Sequence, residues 1–203
     1  MKMNQTQPII LGVDGGGTKT ICVALQADKS IIGEGRAGST NRNSVGDTIA
    51  RANLHAAIQA ALQAGNCPTA AVAAIGLGMA GVDRGGEQAI VAGWVTEVLP
   101  GLQPLIYNDA LVALASGTGG DLYGVVVISG TGMIVYGVDR AGQRRRAGGW
   151  GPLISDLGGG YDLGRAALRA VADATDGIGP TTALQSAVLA HLGLAEPQAI
   201  IPW

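Results

Sequence analysis

The chain has 203 residues, of which 47% are hydrophobic and 14% charged, with a formal net charge of −2. This length is typical of one large domain or two small ones, and the apolar fraction is sufficient for a buried core. Because the charge is nearly balanced, no electrostatic attraction to nucleic acid or to an anionic membrane is expected. The chain contains no phenylalanine, so its core must be built from Val, Ile, Leu and Ala.

The two cysteines, Cys22 and Cys67, are far apart and form neither a CxxC pair nor a metal-binding spacing. Buried free thiols are predicted for both, which suits a reducing compartment. The N-terminus carries one lysine, then polar residues and a short apolar run at 9–11, so no signal peptide is predicted. No apolar stretch reaches the roughly 18 residues of a membrane span. We therefore expect a soluble, cytoplasmic protein.

The first half of the chain predicts three hairpin-linked strands followed by alternating helices and strands. Strands are predicted at 8–13, 20–25, 30–36, 71–79 and 105–107, and helices at 47–65, 86–99 and 109–115. In the first helix, Asp47 is the predicted N-cap and Gly65 the predicted C′ residue. His55 lies on a polar stripe of that helix and is expected to be in solvent. The order indicates a mixed sheet covered by helices.

The second half repeats the opening of the first: strand, glycine-and-threonine turn, strand, turn, strand. Strands are predicted at 122–128, 133–138 and through Arg146, and helices at 161–175 and 181–192. The run of arginines at 144–146 is expected to be solvated. We predict an α/β protein with a first domain at 1–118 and an incomplete second domain at 119–203. An incomplete sheet leaves an edge or apolar face uncovered, so we expect a homo-oligomer or a marginally stable chain.

A glycine triplet follows the first predicted strand. Consecutive glycines let backbone amides turn towards a polyphosphate and approach it closely. The alternative is a glycine-rich hairpin without a ligand. The motif is not a P-loop, because it lacks the GxxxxGK[ST] spacing and opens no helix. The residues predicted to bind phosphate are Gly15, Gly16, Gly17, Thr18 and Lys19, and Asp14 is predicted to hold the water shell of Mg²⁺.

A second glycine turn stands at the corresponding place in the repeated unit. Its predicted phosphate-binding residues are Gly130, Thr131 and Gly132, which follow Ser129. Two such hairpins on two similar domains predict a nucleotide that is held between them.

These motifs carry a resemblance that extends over nearly the whole chain. They occupy residues 14–20, 39–41, 76–81, 108–110, 129–132, 148–152, 156, 158, 160–165 and 167–168. The sequence resembles the BadF-type ATPase family of the actin- and hexokinase-like superfamily, and in particular its N-acetylglucosamine kinases. The resemblance implies duplicated ribonuclease H-like domains. It also implies transfer of phosphate from ATP, with Mg²⁺, to the 6-hydroxyl of N-acetylglucosamine. Glucosamine, a cell-wall amino sugar, or non-catalytic sugar or nucleotide binding remain alternatives.

The resemblance also implies roles for individual residues. Asp109 matches the family's catalytic aspartate, which accepts the proton of the attacking sugar hydroxyl; the alternative is a helix cap. For Asn41 the alternative to sugar binding is a surface turn, and for Trp150 it is packing in the core. The residues that are predicted to bind the sugar are Asn41, Asn108, Gly149, Trp150, Gly151 and Asp156.

One departure and one rival limit these expectations. Many relatives have Asp-Glu-Gly-Ser where this chain has Asp-Leu-Gly-Gly at 156–159, which leaves the preferred sugar open. The rival is an ATPase activator of a dehydratase, which holds an iron–sulfur cluster with cysteines. Neither Cys22 nor Cys67 is expected at a position where it could bind such a cluster. The resemblance implies that the family's adenine-facing segment lies beyond the part of the family that this sequence resembles. We therefore expect the chain to distinguish ATP poorly from GTP or triphosphate and to phosphorylate sugar slowly, if at all.

Overall fold

A computed structural model describes residues 8–82 and 86–202. Two compact units are present among them. One comprises the described residues up to Val126 together with Val138–Gln143, and the other comprises Val127–Gly137 with the described residues from Arg144 onward. The domain division at residue 118 stays a prediction.

The first unit is built on a five-stranded mixed sheet in the order β3-β2-β1-β4-β5. Strands β1 to β3 form antiparallel hairpins, whereas β4 and β5 join in parallel. The strands are β1 Ile9–Gly15, β2 Lys19–Leu25, β3 Ile31–Gly38, β4 Val72–Met79 and β5 Leu105–Asn108. The helices are α1 Arg42–Ala64, α2 Glu87–Val98 and α3 Asp109–Gly117, and a 3₁₀ turn spans Thr69–Ala71. The predicted mixed α/β fold is confirmed.

The core of this unit is mostly aliphatic, with Trp94 as its buried aromatic side chain. Leu11 of β1, Ile75 of β4 and Leu54 of α1 are each at most 1% exposed. Alternate residues of β1 point into the core, which is the period of a strand covered on one face by a helix. Burying each such side chain contributes roughly 1.5–3 kcal/mol to folding.

Helix α1 lies directly on the backbone of β3. A methyl group on Gly33 would overlap the carbonyl oxygen of Ala61, and one on Gly35 would overlap that of Ala57. The two glycines therefore set how closely the helix approaches the sheet.

The predicted N-cap of α1, Asp47, is wrong. The N-cap is Asn41, six residues before Asp47, and the Asn41 carboxamide oxygen accepts the Asn43 N–H at 3.0 Å. The helix is interrupted at Gly46, whose φ of 77° and ψ of 164° are not helical, and it continues from Asp47. Asp47 does not cap the helix because its carboxylate pairs with Arg42.

The predicted C′ residue of α1 is also displaced by one. Gly65 has a right-handed φ of −81°, and the left-handed position is taken by Asn66 with φ 49°. The Asn66 N–H donates to the Gln63 carbonyl at 3.1 Å, and the Cys67 N–H donates to the Leu62 carbonyl at 2.8 Å. This pair of bonds is the Schellman motif, and asparagine tolerates the left-handed conformation that it needs.

The polar stripe predicted that His55 lies in solvent, and this prediction is wrong. Its Nε2 lies 2.8 Å from the carbonyl oxygen of Trp94 and 3.7 Å from the carboxylate of Glu97, both on α2. The stripe therefore faces a neighbouring helix, which the helical period alone does not reveal.

The remaining elements also follow the predicted order. Strands β6 Gly124–Ser129, β7 Met133–Val138 and β8 Arg144–Gly148 form a three-stranded sheet in that order. Helices α4 Gly160–Asp176 and α5 Leu184–Leu192 and a 3₁₀ turn at Pro197–Ile200 come after them. The arginines of β8 are exposed, as predicted. No helix in the described ranges is both long and apolar enough to cross a membrane.

Both cysteines are free thiols, as predicted. Cys22 is buried within β2, whereas Cys67 is half-buried and its Sγ lies 3.2 Å from the Gly65 carbonyl oxygen.

Candidate functional site

The first glycine turn connects β1 and β2. Gly15 pairs with Thr20, and the Gly16 N–H donates to the Lys19 carbonyl at 2.9 Å, which closes the hairpin. Gly17 and Thr18 form the exposed tip between them. The side chains of Asp14 and Lys19 are exposed as well. Of the residues at this turn that are predicted to bind phosphate and Mg²⁺, Gly15 is buried and Gly16 half-buried, and the others face solvent at one end of the sheet.

Buried hydroxyl groups support this turn from below. The Thr20 hydroxyl donates to the Gly38 carbonyl at 2.8 Å and lies 3.0 Å from the Thr40 hydroxyl. The Ser39 hydroxyl donates to the Gly16 carbonyl at 3.1 Å. A side chain on Gly15 would overlap the Thr40 hydroxyl, so this glycine is required by close packing. We call Thr20, Ser39 and Thr40 the hydroxyl floor.

Sequence reasoning assigned no role to the hydroxyl floor. Ser39 and Thr40 stand in a segment that reads as a polar surface loop, yet both are buried. A pair of hydroxyl residues directly before an N-capping asparagine was the available signal.

Asn41 lies beside the first glycine turn. Its Nδ2 would be 3.9 Å from a methyl group on Gly17, and its Oδ1 would be 2.9 Å from one on Gly81. The side chain is half-buried and caps α1. The cap uses Oδ1, which leaves Nδ2 as the group that could donate to a sugar hydroxyl.

Asn108 and Asp109 lie where β5 ends and α3 begins. The Asn108 Oδ1 accepts the Ala110 N–H at 2.8 Å, and this makes Asn108 the N-cap of α3. The N-cap position therefore belongs to Asn108 and not to Asp109, but the Asp109 Oδ1 also accepts the Ala110 N–H at 2.9 Å. This contact leaves open that Asp109 supports the helix start as well as acting as a base. Asp109 is the first helical residue and half-buried, a position where the helix dipole stabilises its negative charge.

The strand register brings these two groups of residues to one edge of the sheet. Gly15 is paired with Met79 of β4, and Met79 is paired with Asn108 of β5. With two strand spacings between them, the Gly15 and Asn108 backbones are about 10 Å apart. The carboxyl edge of parallel strands is where α/β proteins bind ligands. The sequence prediction that Asp109 follows a strand at this edge is therefore consistent with the geometry.

The second glycine turn is supported by the start of a helix and by the Ser129 hydroxyl, which donates to the Gly158 carbonyl at 2.8 Å. The Gly130 and Thr131 carbonyls accept the N–H groups of Gly160 and Tyr161, at 2.7 and 3.1 Å, at the start of α4. The Gly130 N–H donates to the Gly132 carbonyl at 2.9 Å. These backbone bonds fix the turn, and sequence reasoning did not assign them.

Asp156 joins the second turn to the segment that contains Trp150. It is 7% exposed, its Oδ1 accepts the Gly151 N–H at 3.1 Å, and a side chain on Gly132 would overlap its Oδ2. The structure thus brings together three predicted residues of the second unit. Because one carboxylate oxygen already holds a backbone amide, the buried group positions the turn; its contact with sugar stays a prediction.

Trp150 is 62% exposed, so the alternative in which it packs in the core is wrong. The Arg146 guanidinium carbon lies 6.0 Å from the centre of its ring. Gly149 and Gly151 on either side have φ of 69° and 101°, values that side-chain-bearing residues adopt only with strain. The ring is therefore presented to solvent by a glycine-dependent segment, and an exposed aromatic face suits stacking on a ligand.

The described residues offer few metal ligands. No group of three or more His, Cys, Asp or Glu side chains that could hold an ion occurs within 8–82 and 86–202. Mg²⁺ needs only one or two carboxylates beside phosphate oxygens and waters, so the exposed Asp14 carboxylate fits that ion. Burial raises the pKa of the Cys22 thiol to about 12, which makes it a poor ligand for an iron–sulfur cluster.

The fold is shared with known proteins. It superimposes with a TM-score of 0.71 on the solved structure of a putative N-acetylglucosamine kinase from Chromobacterium violaceum, which is 27% identical in sequence. That match covers 95% of this chain and 70% of the other. The chain belongs to the BadF/BadG/BcrA/BcrD ATPase family, whose model matches residues 11–198. The predicted family is therefore confirmed.

Two curated relatives are similar over almost the whole chain. An N-acetyl-D-glucosamine kinase from Dictyostelium discoideum is 40% identical, over 98% of this chain and 65% of its own length. An N-acetylmuramic acid/N-acetylglucosamine kinase from Clostridium acetobutylicum is 33% identical, over 95% of this chain and 62% of its own length. The chain thus spans slightly less than two thirds of the length of these relatives.

Proposed function

We propose that the protein is an ATP-dependent kinase that phosphorylates an amino sugar, with N-acetylglucosamine as the first candidate and the 6-hydroxyl as the acceptor. The observation that carries this proposal is the strand register, which aligns the Gly15 turn with Asn108 and Asp109 at one edge of the first sheet. A phosphate-binding turn and a carboxylate at that edge are the two components that phosphoryl transfer to an alcohol requires. The names of the relatives support the sugar class.

In the proposed reaction, Asp109 accepts the proton of the sugar hydroxyl as its oxygen attacks the γ-phosphorus. A new phosphorus–oxygen bond forms, the bond from the γ-phosphorus to the β,γ-bridging oxygen breaks, and ADP leaves. The amides of the exposed tip at Gly17 and Thr18 and the side chains of Thr18 and Lys19 hold the phosphates, with Gly130, Thr131 and Gly132 as the second predicted phosphate contact. When bound, Mg²⁺ neutralises the charge of the phosphate oxygens, and Asp14 would hold its waters.

On the sugar side, Asn41 supplies a side-chain amide and Trp150 an exposed ring. Asp156 already binds a backbone N–H through one oxygen, so we expect it to contact the sugar through the other. Asn108 is the second side-chain amide that we propose for the sugar side. The amides of Gly149 and Gly151 flank Trp150. Because Leu157 and Gly159 replace the acid and the serine of many relatives, glucosamine and N-acetylmuramic acid stay alternatives to N-acetylglucosamine.

A coupled assay of ADP release tests the proposal. N-acetylglucosamine, glucosamine, N-acetylmuramic acid and glucose are supplied with Mg-ATP, and the control contains no sugar. We expect ADP release above the sugar-free rate with an amino sugar and a weaker response to glucose. Binding is measured in parallel by thermal shift with and without Mg-ATP. Sugar-independent ATP hydrolysis, or no stabilisation by any amino sugar, would contradict the proposal.

We also propose that the protein works in the cytoplasm and that its copies associate with one another. The second proposal is supported by the exposed apolar residues of the second unit, among them Leu153 and Ile154. Mass measurement in solution tests it, and a stable monomer at micromolar concentration would contradict it.

A further inference from the structure

Arg42 directly follows the predicted sugar-binding Asn41 and forms a forked ion pair. Its Nε donates to Oδ1 of Asp47 at 2.8 Å and its Nη2 to Oδ2 at 3.0 Å. Between the two residues lies Gly46, where the helical backbone is interrupted. The pair therefore connects the first turn of α1 to the main body of the helix across the interruption.

Arg42 also contacts a second helix. Its guanidinium carbon lies 5.7 Å from the centre of the Trp94 ring on α2, a cation–π distance, and Trp94 is only 7% exposed. The Arg42 side chain is 18% exposed, whereas that of Asp47 is 57% exposed. Hydrogen bonding to Asp47 and the negative charge of Glu87 raise the pKa of Arg42, so acidic groups of both helices face it.

The turn that Arg42 anchors has few hydrogen bonds of its own, although Val45 packs against the core. The Asn41 carbonyl accepts the N–H groups of Ser44 and Val45 at 2.9 and 3.1 Å, and the Asn41 side chain accepts that of Asn43. A single helical turn is unstable alone, because few hydrogen bonds compensate for the lost backbone entropy. On the side of β3, the Asn41 N–H donates to the buried Ser39 hydroxyl at 3.1 Å. On the other side Gly46 interrupts the helix, so the Arg42–Asp47 pair is the contact that ties the turn to the remaining helix.

We propose that Arg42, with Asp47 and Trp94 as its partners, is a positioning residue that holds the Asn41 turn beside the first glycine turn. The claim that Arg42 affects sugar binding rests on the proposed function. The claim that Arg42 holds the turn does not depend on it. The fork geometry suits arginine rather than lysine, because two parallel N–H groups meet one carboxylate. Sugar affinity would then depend on a side chain that touches no sugar.

An ion pair between α1 and α2 provides the matched control. Arg51 of α1 lies 3.6 Å from Glu97 of α2, and both side chains are 47% exposed. Because Arg51 stands after the interruption at Gly46, its loss leaves the Asn41 turn attached. Arg51→Gln thus removes an arginine from the same helix face without affecting the proposed anchor.

Amide hydrogen exchange tests the anchor directly. In Arg42→Gln and Asp47→Asn, we expect the amides of residues 43–45 to exchange about tenfold faster, with the core strands unchanged. Arg42→Lys keeps the charge but loses the fork, so its effect should be intermediate. Arg51→Gln should leave these amides as they are. Unchanged exchange at 43–45 in Arg42→Gln, or an equal increase in Arg51→Gln, would overturn the proposal.

Sugar affinity provides the second readout, measured by calorimetry with N-acetylglucosamine and separately with Mg-ATP. Arg42→Gln should bind the sugar about tenfold more weakly and the nucleotide equally well. If the unaltered chain binds no amino sugar, the proposed function fails while the exchange experiment still decides on the anchor. If the unaltered chain binds sugar and Arg42→Gln binds it equally, the positioning role is overturned.

Discussion

The two units hold their candidate site residues in different ways. In the first unit the glycine turn and Asp109 extend from a sheet whose core includes Leu11, Leu54 and Ile75 at 0–1% exposure. In the described part of the second unit, the buried apolar side chains are Tyr136 and Val171, while Leu153 and Ile178 are 74% and 77% exposed. The second site segment is held instead by the Asp156 carboxylate and the start of α4. Hydrophobic packing thus supports the candidate residues of the first unit, and polar contacts support those of the second.

The largest expected effect concerns the chemistry assigned to the first unit. In a form extended to the length of the relatives, Asp109→Asn should lower the turnover of the amino sugar by about 10²–10⁴, because the amide cannot accept the proton of the hydroxyl. Sugar affinity should stay within a few-fold of the original. Steady-state kinetics and calorimetry measure the two quantities.

The control for Asp109 is Asp28→Asn, since Asp28 is an exposed carboxylate in a β-turn of the same unit. That variant should keep its turnover. Full activity in Asp109→Asn would remove this carboxylate from the mechanism.

The next effect compares the cores. Leu54→Ala in the first unit should lower the free energy of unfolding by about 2–5 kcal/mol, because it leaves a cavity under α1. Leu153→Ala in the second unit should change it by no more than about 0.5 kcal/mol, because the side chain is already in solvent. Urea denaturation measures both. Equal losses would show that Leu153 is buried in the folded protein and that the contrast between the units is wrong.

Trp150→Ala separates binding from stability in the second unit. The variant should bind the amino sugar about tenfold more weakly, from the loss of one aromatic contact, and bind nucleotide as before. Because the ring is 62% exposed, the melting temperature should change little.

Trp94→Ala is the contrasting variant, since Trp94 is buried in the first unit. It should lower the free energy of unfolding by about 3–5 kcal/mol. If Trp150→Ala weakens sugar and nucleotide binding equally and also melts early, Trp150 stabilises the fold rather than the ligand.

The smallest expected effect at neutral pH is the contribution of Cys22 to the pH dependence of the free energy of unfolding. Burial raises the pKa of its thiol from 9.0 to about 12, so the thiol is neutral in the folded and unfolded chains below pH 9. Above pH 9 only the unfolded chain loses the proton, and the free energy of unfolding should fall by up to about 1.4 kcal/mol per pH unit. The difference between the original chain and Cys22→Ala, followed by denaturation from pH 8 to 11, isolates this effect. A difference that does not vary with pH would contradict it.

Elements that depend on local pattern were predictable from the sequence. Strand β7 was predicted at 133–138 and spans Met133–Val138. The prediction was accurate because a glycine-containing turn lies on each side of this apolar run. The edge position of Asp109 followed from its place directly after an apolar strand. Regular strands and turns depend on nearest neighbours, which the sequence displays.

Features that depend on contacts distant in sequence were missed. His55 was assigned to solvent because the helical period cannot show that α2 covers that face. Asp47 was taken as an N-cap because aspartate is favoured there, yet its ion pair with Arg42 and the flexibility of Gly46 favour an earlier start. The hydroxyl floor is likewise invisible, since Thr20 and Thr40 meet only when β2 and the end of β3 come together.

The glycines of β3 have a consequence for how the protein tolerates change. Since Gly33 and Gly35 place strand backbone against helix backbone, no rotatable side chain fills the gap at those points. Core substitutions elsewhere can be absorbed by altered rotamers, but the height of α1 above the sheet cannot adjust in that way. Asn41 begins this same helix, so a single methyl group on Gly35 would tilt or lift it, although that methyl group lies several helical turns away. The recognition of a ligand would thus be sensitive to a position that no ligand approaches.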